Sequence, residues 1–220
     1  MDRMGDAADQ ILDRDGPPRI LVIDHHDSFV HNLVRYLQVA GATTDVVRVD
    51  AVDLDGCLSR RPDGILLSPG PFGPSQTKLA IDLVQQDRWQ IPIFGVCLGH
   101  QAIAVAAGGR VCVGRPMHGM ADTIEHDGSG WLADGPSPMA AGLYHSLHVD
   151  DDSLPSPWTV TARSMVDGAV MGLRSGDGRI QSVQFHPESI LSPHGHRIVE
   201  RFVAACGVNV AGVSQSASSP

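Results

Sequence analysis

The chain has 220 residues, a formal net charge of −9 at pH 7 and 42% hydrophobic residues, an ordinary composition for a globular protein. Its 25 acidic residues outnumber 16 basic ones, and the basic residues form no stripe. We therefore expect no binding to nucleic acid or to an anionic membrane. No apolar run reaches the ~20 residues that cross a bilayer, so no membrane segment is expected.

The cysteines and the two ends of the chain indicate the compartment and the domain limits. Cys57, Cys97, Cys112 and Cys206 form no CxxC pair, and the stretch before residue 19 lacks the apolar core of an export signal. We expect free thiols, a cytoplasmic protein and no metal site. The composition also predicts one domain over residues 19–206 between disordered tails at 1–18 and 207–220.

Strand and helix signals alternate through the first half of the chain. The apolar run at 19–24 predicts a buried strand, and apolar spacing over 28–40 predicts a helix that Gly41 ends. Further strands are predicted at 45–49, 64–67 and 91–96, and further helices at 77–89 and 98–107. This order predicts an α/β fold: an open, mostly parallel twisted sheet with helices on both faces.

After residue 110 the pattern changes to short apolar runs separated by glycine, proline and aspartate. These runs predict antiparallel strands that extend the sheet, at 123–126, 158–162, 169–173 and 180–185. A final helix is predicted over 193–206.

Cys97 lies in the segment Gly95-Val96-Cys97-Leu98-Gly99, where a predicted strand runs straight into a predicted helix. This is the pattern of a nucleophile elbow with sulfur in place of a serine oxygen. The helix N-terminus favours a thiolate, and the N–H of Leu98 points toward an oxyanion formed by attack on a carbonyl. The alternative interpretation is a buried structural cysteine at a glycine-rich turn.

His186-Pro187-Glu188 ends the last predicted strand. Pro187 keeps His186 extended, and residues two apart on an extended chain point the same way. Glu188 can therefore reach the imidazole and orient it as the third group of a triad does. The alternative is a strand-end histidine followed by a helix-capping glutamate.

The third segment of interest is the Pro/Gly loop at 68–74, directly after a predicted strand. Open α/β sheets bind ligands at the carboxyl ends of their strands, and this backbone can offer N–H groups to a substrate carbonyl. The alternative is a simple turn. The chain contains neither G-x-G-x-x-G nor a P-loop, so no nucleotide site is expected.

Together these segments resemble the class I (triad) glutamine amidotransferases, and they are most similar to the small subunits of anthranilate synthase and aminodeoxychorismate synthase. The likeness runs from about residue 19 to residue 206. The blocks that carry it are 21–24 with 27–29, 68–74, 95–101, 117–119, 144–147 and 184–191.

The resemblance implies that Cys97 attacks the side-chain amide of L-glutamine while His186, oriented by Glu188, moves the proton. A γ-glutamyl thioester then forms, ammonia leaves, and water releases glutamate. The implied oxyanion hole is the N–H groups of Gly70 and Leu98. The implied glutamine-binding residues are Gly70, Pro71, Phe72, Gln101, Ser146 and Leu147.

The resemblance also implies a partner. Ammonia would pass to a larger, chorismate-binding synthase subunit, whose own site holds Mg2+, and this chain would need no cofactor. Two other functions remain open: a stand-alone Cys-His-Glu hydrolase of γ-glutamyl compounds, and a non-catalytic regulatory subunit. The choice between anthranilate and aminodeoxychorismate is made in the partner and stays open as well.

Four residues depart from the family pattern. Phe72 stands where glycine is commonest, and we expect it to affect the affinity for glutamine. Met120, Leu143 and Ser175 stand where lysine, arginine and histidine are usual, and this loss of basic groups predicts an altered partner surface.

Overall fold

The computed structural model of the chain describes residues 16–86 and 90–207. Most of the two predicted tails, residues 1–15 and 208–220, lies outside the described residues, and so does 87–89 of the predicted helix at 77–89.

The described part of the chain contains five α-helices and eleven strands. The helices are α1 (Val30–Val39), α2 (Leu54–Ser59), α3 (Lys78–Gln86), α4 (Leu98–Ala106) and α5 (Gly195–Cys206). The strands are β1 (Arg19–Asp24), β2 (Thr43–Arg48), β3 (Gly64–Leu67), β4 (Ile93–Val96), β5 (Arg110–Val113), β6 (Met120–His126), β7 (Met139–Leu143), β8 (Leu147–Asp150), β9 (Thr159–Ser164), β10 (Val170–Arg174) and β11 (Ile180–Val183). No helix in these ranges is long and apolar enough to cross a membrane.

Nine of the strands form one sheet in the order β2-β1-β3-β4-β11-β10-β9-β6-β7. Neighbours from β2 to β11 are parallel, and neighbours from β11 to β7 are antiparallel. The predicted α/β class, with a mostly parallel sheet and an antiparallel extension, is confirmed.

One strand prediction was right on one side of the strand and wrong on the other. The segment 180–185 was expected in the antiparallel extension, but β11 pairs parallel with β4, and Val183 lies opposite Val96. Its hairpin partner β10 supplies the antiparallel pairing on the other side. A short apolar run encodes burial and does not encode the direction of its neighbours, so the sequence pattern left this open. The parallel pairing places the chain after β11 beside the chain after β4.

The helices cover both faces of the sheet, as predicted. On one face α1 and α5 pack together, with Leu33, Leu37 and Phe202 fully buried. On the other face α2, α3 and α4 enclose a second cluster that includes Leu83 and Ile103. Each fully buried side chain of this size stabilises the fold by roughly 1.5–3 kcal/mol. These layers hold the carboxyl ends of the parallel strands in fixed positions.

Several elements were absent from the sequence predictions. They are the helix α2 and the strands β5, β7 and β8. Asp53 caps α2, because its side chain accepts a hydrogen bond from the Gly56 N–H at 2.8 Å. The strands β5 and β8 form a separate two-stranded sheet in which Val113 lies opposite Leu147. Its alternating, partly exposed residues gave no continuous apolar run to detect.

Candidate active site

Cys97 lies at a strained turn between β4 and α4. Its backbone has a φ of 51° and a ψ of −98°, a left-handed conformation that L-residues other than glycine rarely adopt. The two flanking glycines leave room for this turn, because a Cβ at Gly99 would lie 2.3 Å from the Leu67 carbonyl oxygen. A Cβ at Gly95 would lie 2.5 Å from Ile103 Cδ1. The geometry is that of a nucleophile elbow, with the sulfur at the start of a helix.

His186 and Glu188 form a buried pair just beyond β11. The Nδ1 atom of His186 lies 2.6 Å from Glu188 Oε1, and both side chains are almost fully buried. The His186 backbone is fixed as well: its N–H donates to the Gly142 carbonyl at 3.0 Å, and its carbonyl accepts from Ser192 Oγ at 2.6 Å. Because a carboxylate only accepts, Nδ1 carries the proton and Nε2 is left to act on the substrate side.

The electrostatics of His186 follow from its neighbours. Burial alone lowers the pKa of this imidazole, but interactions with the Cys97 thiol and with Glu188 outweigh burial and raise the pKa to about 10. The histidine is therefore protonated at neutral pH beside Cys97. Among the described residues its Nε2 atom has no hydrogen-bond partner of regular geometry, which leaves this N–H free to follow the reacting group.

Gly70 lies against the start of α4, as the predicted oxyanion hole requires. A Cβ on Gly70 would lie 2.6 Å from the His25 carbonyl oxygen and 2.9 Å from Leu98 Cδ2. The first residue of the loop at 68–74 is bound to the segment after β1, because the His25 N–H donates to Ser68 Oγ at 2.9 Å. The structure thus brings Gly70 and Leu98 together beside Cys97, while their role as oxyanion donors stays a prediction.

The other predicted glutamine-binding residues come from two directions. Gln101 on α4 donates from Nε2 to the carbonyl oxygen of Leu147 at 3.2 Å. Ser146 is exposed, and its carbonyl accepts the Gly114 N–H at 2.8 Å, so the β5–β8 sheet holds this turn. Pro71 and Phe72 continue the loop after Gly70.

Phe72 is half-buried, and its ring makes an edge contact with the His26 ring at 5.7 Å. The other departures from the family pattern lie elsewhere. Met120 at the start of β6 is partly exposed and lies opposite Leu143, which is buried, so Leu143 presents no side chain to a partner. Ser175 lies in the β10–β11 turn, at the opposite end of β11 from His186.

Sequence reasoning missed three residues at the site. Gln184 donates from Nε2 to Cys97 Sγ at 3.6 Å. Tyr144 places its ring edge-on against His186, with 5.0 Å between centroids, and Phe29 packs against both rings. Each of the three lies inside a segment that carried the resemblance. That location was the one feature of the sequence that could have indicated a place at the site. Their contacts depend on chain segments that are far apart in sequence.

A cavity of about 680 Å³ lies away from this chemistry. It is at the amino end of β11, where Ile180, Trp158 and Asp177 form part of its wall. Ligands in open α/β sheets bind at the carboxyl ends of the strands, where Cys97 and His186 lie, and this cavity is at the opposite end.

Together, the fold and the site define an α/β enzyme with a cysteine at a strained strand-to-helix turn and a buried His–Glu pair just beyond the adjacent strand. The comparison with known families is more specific. Residues 21–206 match the family described as Glutamine amidotransferase class-I, and the chain belongs to that family.

Relatives with known names cover the same region. The chain is 45% identical over 186 residues to the Anthranilate synthase component 2 of Azospirillum brasilense, covering 84% of this chain and 94% of the relative. It is 42% identical to the Aminodeoxychorismate/anthranilate synthase component 2 of Bacillus subtilis, covering 84% and 95%. It is also 42% identical to the Aminodeoxychorismate synthase component 2 of Escherichia coli, covering 84% and 98%.

Two solved structures share the fold. A GMP synthase subunit from Thermoplasma acidophilum matches with a TM-score of 0.77 at 24% identity, over 88% of this chain and 96% of that one. A glutamine amidotransferase from Thermotoga maritima matches with a TM-score of 0.68 at 18% identity, over 86% and 99%.

Proposed function

We propose that this class I glutamine amidotransferase hydrolyses L-glutamine at Cys97 and delivers the ammonia to a separate synthase subunit that aminates chorismate. The observation that carries the proposal is the buried His186–Glu188 pair beside a cysteine held at a strained elbow. Relatives named as component 2 of anthranilate or aminodeoxychorismate synthase, at 42–45% identity, support the same assignment.

Besides glutamine and water, the proposed chemistry uses only the side chains and backbone of this chain. The Cys97 thiolate attacks the side-chain carbonyl carbon of glutamine, and the oxyanion lies against the N–H groups of Gly70 and Leu98. His186 gives its Nε2 proton to the departing nitrogen, which leaves as ammonia while the γ-glutamyl thioester remains. His186 then accepts a proton from water, the resulting hydroxide attacks the thioester, and glutamate leaves as the thiolate re-forms.

Glu188 stabilises the charged imidazole through both half-reactions. It is buried with His186 at a contact of 2.6 Å, and a charge-assisted hydrogen bond in such a place is short and strong. Its Oε2 atom has no hydrogen-bond partner among the described residues. The carboxylate is therefore committed to the histidine, which keeps the ring in one tautomer and one orientation.

The partner side of the proposal is supported by exposed apolar side chains beside the triad. Phe29, which packs on Tyr144 and lies 6.3 Å from the His186 ring, is 41% exposed, and Ile190, two residues after Glu188, is 95% exposed. We propose that these two exposed apolar side chains belong to the surface on which the synthase docks. A synthase seated there would receive ammonia without its loss to water.

We also propose that this chain carries no cofactor and that Mg2+ belongs to the synthase partner. The cytoplasmic location is part of the same proposal, and four free cysteines support a reducing compartment. Relatives with both printed names match this chain to a similar degree, which supports the proposal that the partner decides between anthranilate and aminodeoxychorismate.

The delivery of ammonia can be tested with isotopes. The chain is mixed with a synthase subunit, chorismate and glutamine labelled with ¹⁵N in its side-chain amide, together with excess unlabelled ammonium. Delivery through the complex predicts an aminated product that carries the label, and a Cys97→Ala chain predicts an unlabelled product. A wild-type product whose label is diluted to the level of the free ammonium pool would reject delivery through the complex and favour release of ammonia into solution.

A further inference from the structure

We propose that Gln184 is a catalytic residue whose side-chain N–H stabilises the thiolate form of Cys97. The inference rests on the proposed function in one respect, that Cys97 is the nucleophile.

Gln184 follows β11 directly and is fully buried. Its backbone N–H donates to the Met171 carbonyl at 3.0 Å, which ties this residue to β10. Its side-chain Nε2 lies 3.6 Å from Cys97 Sγ, within hydrogen-bond range for sulfur. Each N–H of a buried amide requires an acceptor, and here the sulfur of Cys97 is that acceptor.

The orientation of this amide follows from its neighbours. The carbonyl oxygen of Leu147 can only accept, so Gln101 must present its NH2 group there. The same NH2 group lies 3.2 Å from the Gln184 side chain, which must therefore present Oε1. The NH2 group of Gln184 is left facing sulfur. One backbone carbonyl thus sets the direction of a hydrogen-bond chain that ends at Cys97.

The hydrogen-bond chain begins at the carbonyl oxygen of Leu147, which has a second donor. His145 Nδ1 lies 2.9 Å from the same Leu147 oxygen, and burial lowers the pKa of His145, so its ring is neutral at neutral pH and donates from Nδ1. Leu147 O therefore accepts from both His145 and Gln101. These two hydrogen bonds fix the orientation of the Gln101 amide. If the Gln184 amide flipped, its NH2 group would face the NH2 group of Gln101, and the hydrogen bond between the two side chains would be lost.

A donor that faces sulfur favours S⁻ over S–H. A hydrogen bond to a charged group is stronger than one between neutral groups, so the N–H stabilises the thiolate more than the thiol. The ionisable groups around the triad are His186 and Glu188 after β11, Asp27 after β1, His100 on α4 and His145 before β8. Burial keeps His100 and His145 neutral, so protonated His186 and the Gln184 N–H are the groups that stabilise the thiolate.

The test is the alkylation of Cys97 by iodoacetamide as a function of pH, followed by mass spectrometry of the peptide so that the exposed Cys112 does not contribute. In Gln184→Leu the rate near pH 7 should fall about tenfold and the midpoint should move up by about one pH unit. Gln184→Glu keeps the shape of the side chain but brings an acceptor to the sulfur, and the midpoint should rise at least as far. In turnover, kcat should fall while KM for glutamine changes little.

Gln181→Leu is the matched control. Gln181 is also a buried glutamine and lies within β11, three residues before Gln184. Its side-chain Oε1 accepts from the Trp131 N–H at 3.0 Å, and its Nε2 donates to the Gly178 carbonyl at 2.7 Å. Its loss should lower stability and leave the alkylation profile of Cys97 unchanged. A wild-type profile in folded Gln184→Leu and Gln184→Glu would overturn the inference, as would an equal shift in Gln181→Leu. Alkylation needs neither glutamine nor a partner, so these outcomes are separate from failure of the proposed function.

Discussion

The backbone N–H of Cys97 donates to the carbonyl oxygen of Val183 at 2.9 Å. This bond joins the first residue after β4 to the last residue of β11 and so extends the parallel pairing of the two strands to the elbow. Because of it, the elbow and the segment that carries His186 leave the sheet side by side. The triad is thus assembled by strand pairing between segments that are far apart in the sequence, and the direction of β11 is essential to it.

Replacing Cys97 with Ala or Ser should abolish glutamine-dependent amination in the complex with a synthase subunit. The fold should persist, because the side chain is small and the flanking glycines are kept. Activity with added ammonium salt should survive, since the partner can use free ammonia. The measurement is product formation with each nitrogen source. Wild-type activity of Cys97→Ser with glutamine would remove Cys97 from the mechanism.

Replacing His186 with Asn should cost at least about a thousandfold in kcat/KM, since members of a nucleophile–base unit fail together. Glu188→Gln should cost less, because the base stays in place while its orientation and charge stabilisation weaken. Labelling of Cys97 by a glutamine-analogue electrophile would rank the two variants. If wild type and His186→Asn were labelled at equal rates, His186 would not be the base.

The parts of this site that the sequence predicted are those encoded within a few neighbouring residues. Gly95, Cys97 and Gly99 define the elbow locally. The predicted Glu188–His186 contact forms through a tight turn, in which the Ser189 N–H donates to the His186 carbonyl at 3.2 Å, and not through the extended chain that was expected. The direction of β11 and the amide of Gln184 depend on segments that meet only in the folded chain. The predicted triad could be named from the sequence, whereas the hydrogen-bond chain from Leu147 to the sulfur required the structure.

The close approach of Gly70 to α4 gives a third prediction. In Gly70→Ala the new Cβ meets the His25 carbonyl oxygen at 2.6 Å, so the loop must move away from Leu98. We expect the glutaminase kcat to fall by about 100-fold, as when an oxyanion donor is lost. Gly73→Ala, in the same loop, meets nothing within 4 Å and has a φ of −89°, so its activity should match wild type. Equal rates for both variants would exclude Gly70 from the oxyanion hole.

Two buried histidines predict a loss of stability in acid. Burial lowers the pKa of His25 to about 4 and that of His100 to about 3. Below about pH 6.5 an unfolded chain binds protons at both positions while the folded chain does not, so the free energy of unfolding falls with the pH. At pH 5 each histidine should lower the free energy of unfolding by about 2 kcal/mol relative to its value at neutral pH. Urea unfolding at the two pH values measures the sum.

The acid effect is tested by comparing how steeply the unfolding free energy depends on pH in two variants, and not by comparing their absolute stabilities. His100→Asn should flatten the dependence of the unfolding free energy between pH 5 and 7, whereas substitution of the exposed His196 by Asn should leave it unchanged. His186 acts with the opposite sign and in another window. Its pKa is raised to about 10, so its contribution to stability is complete below about pH 6.5 and is lost as the pH rises toward 10.

The last prediction concerns dependence on a partner. An ammonia-releasing site without an acceptor wastes glutamine, so the isolated chain should turn over glutamine slowly. A matched chorismate-binding synthase should raise the rate at least tenfold by ordering the loop at Gly70 and covering Phe29, and each factor of ten corresponds to about 1.4 kcal/mol of barrier. The measurement is glutamate release with and without chorismate and the synthase. Phe29→Ser, which removes an exposed apolar ring, should weaken the activation more than it changes the basal rate. Full turnover by the isolated chain would instead make it a stand-alone hydrolase.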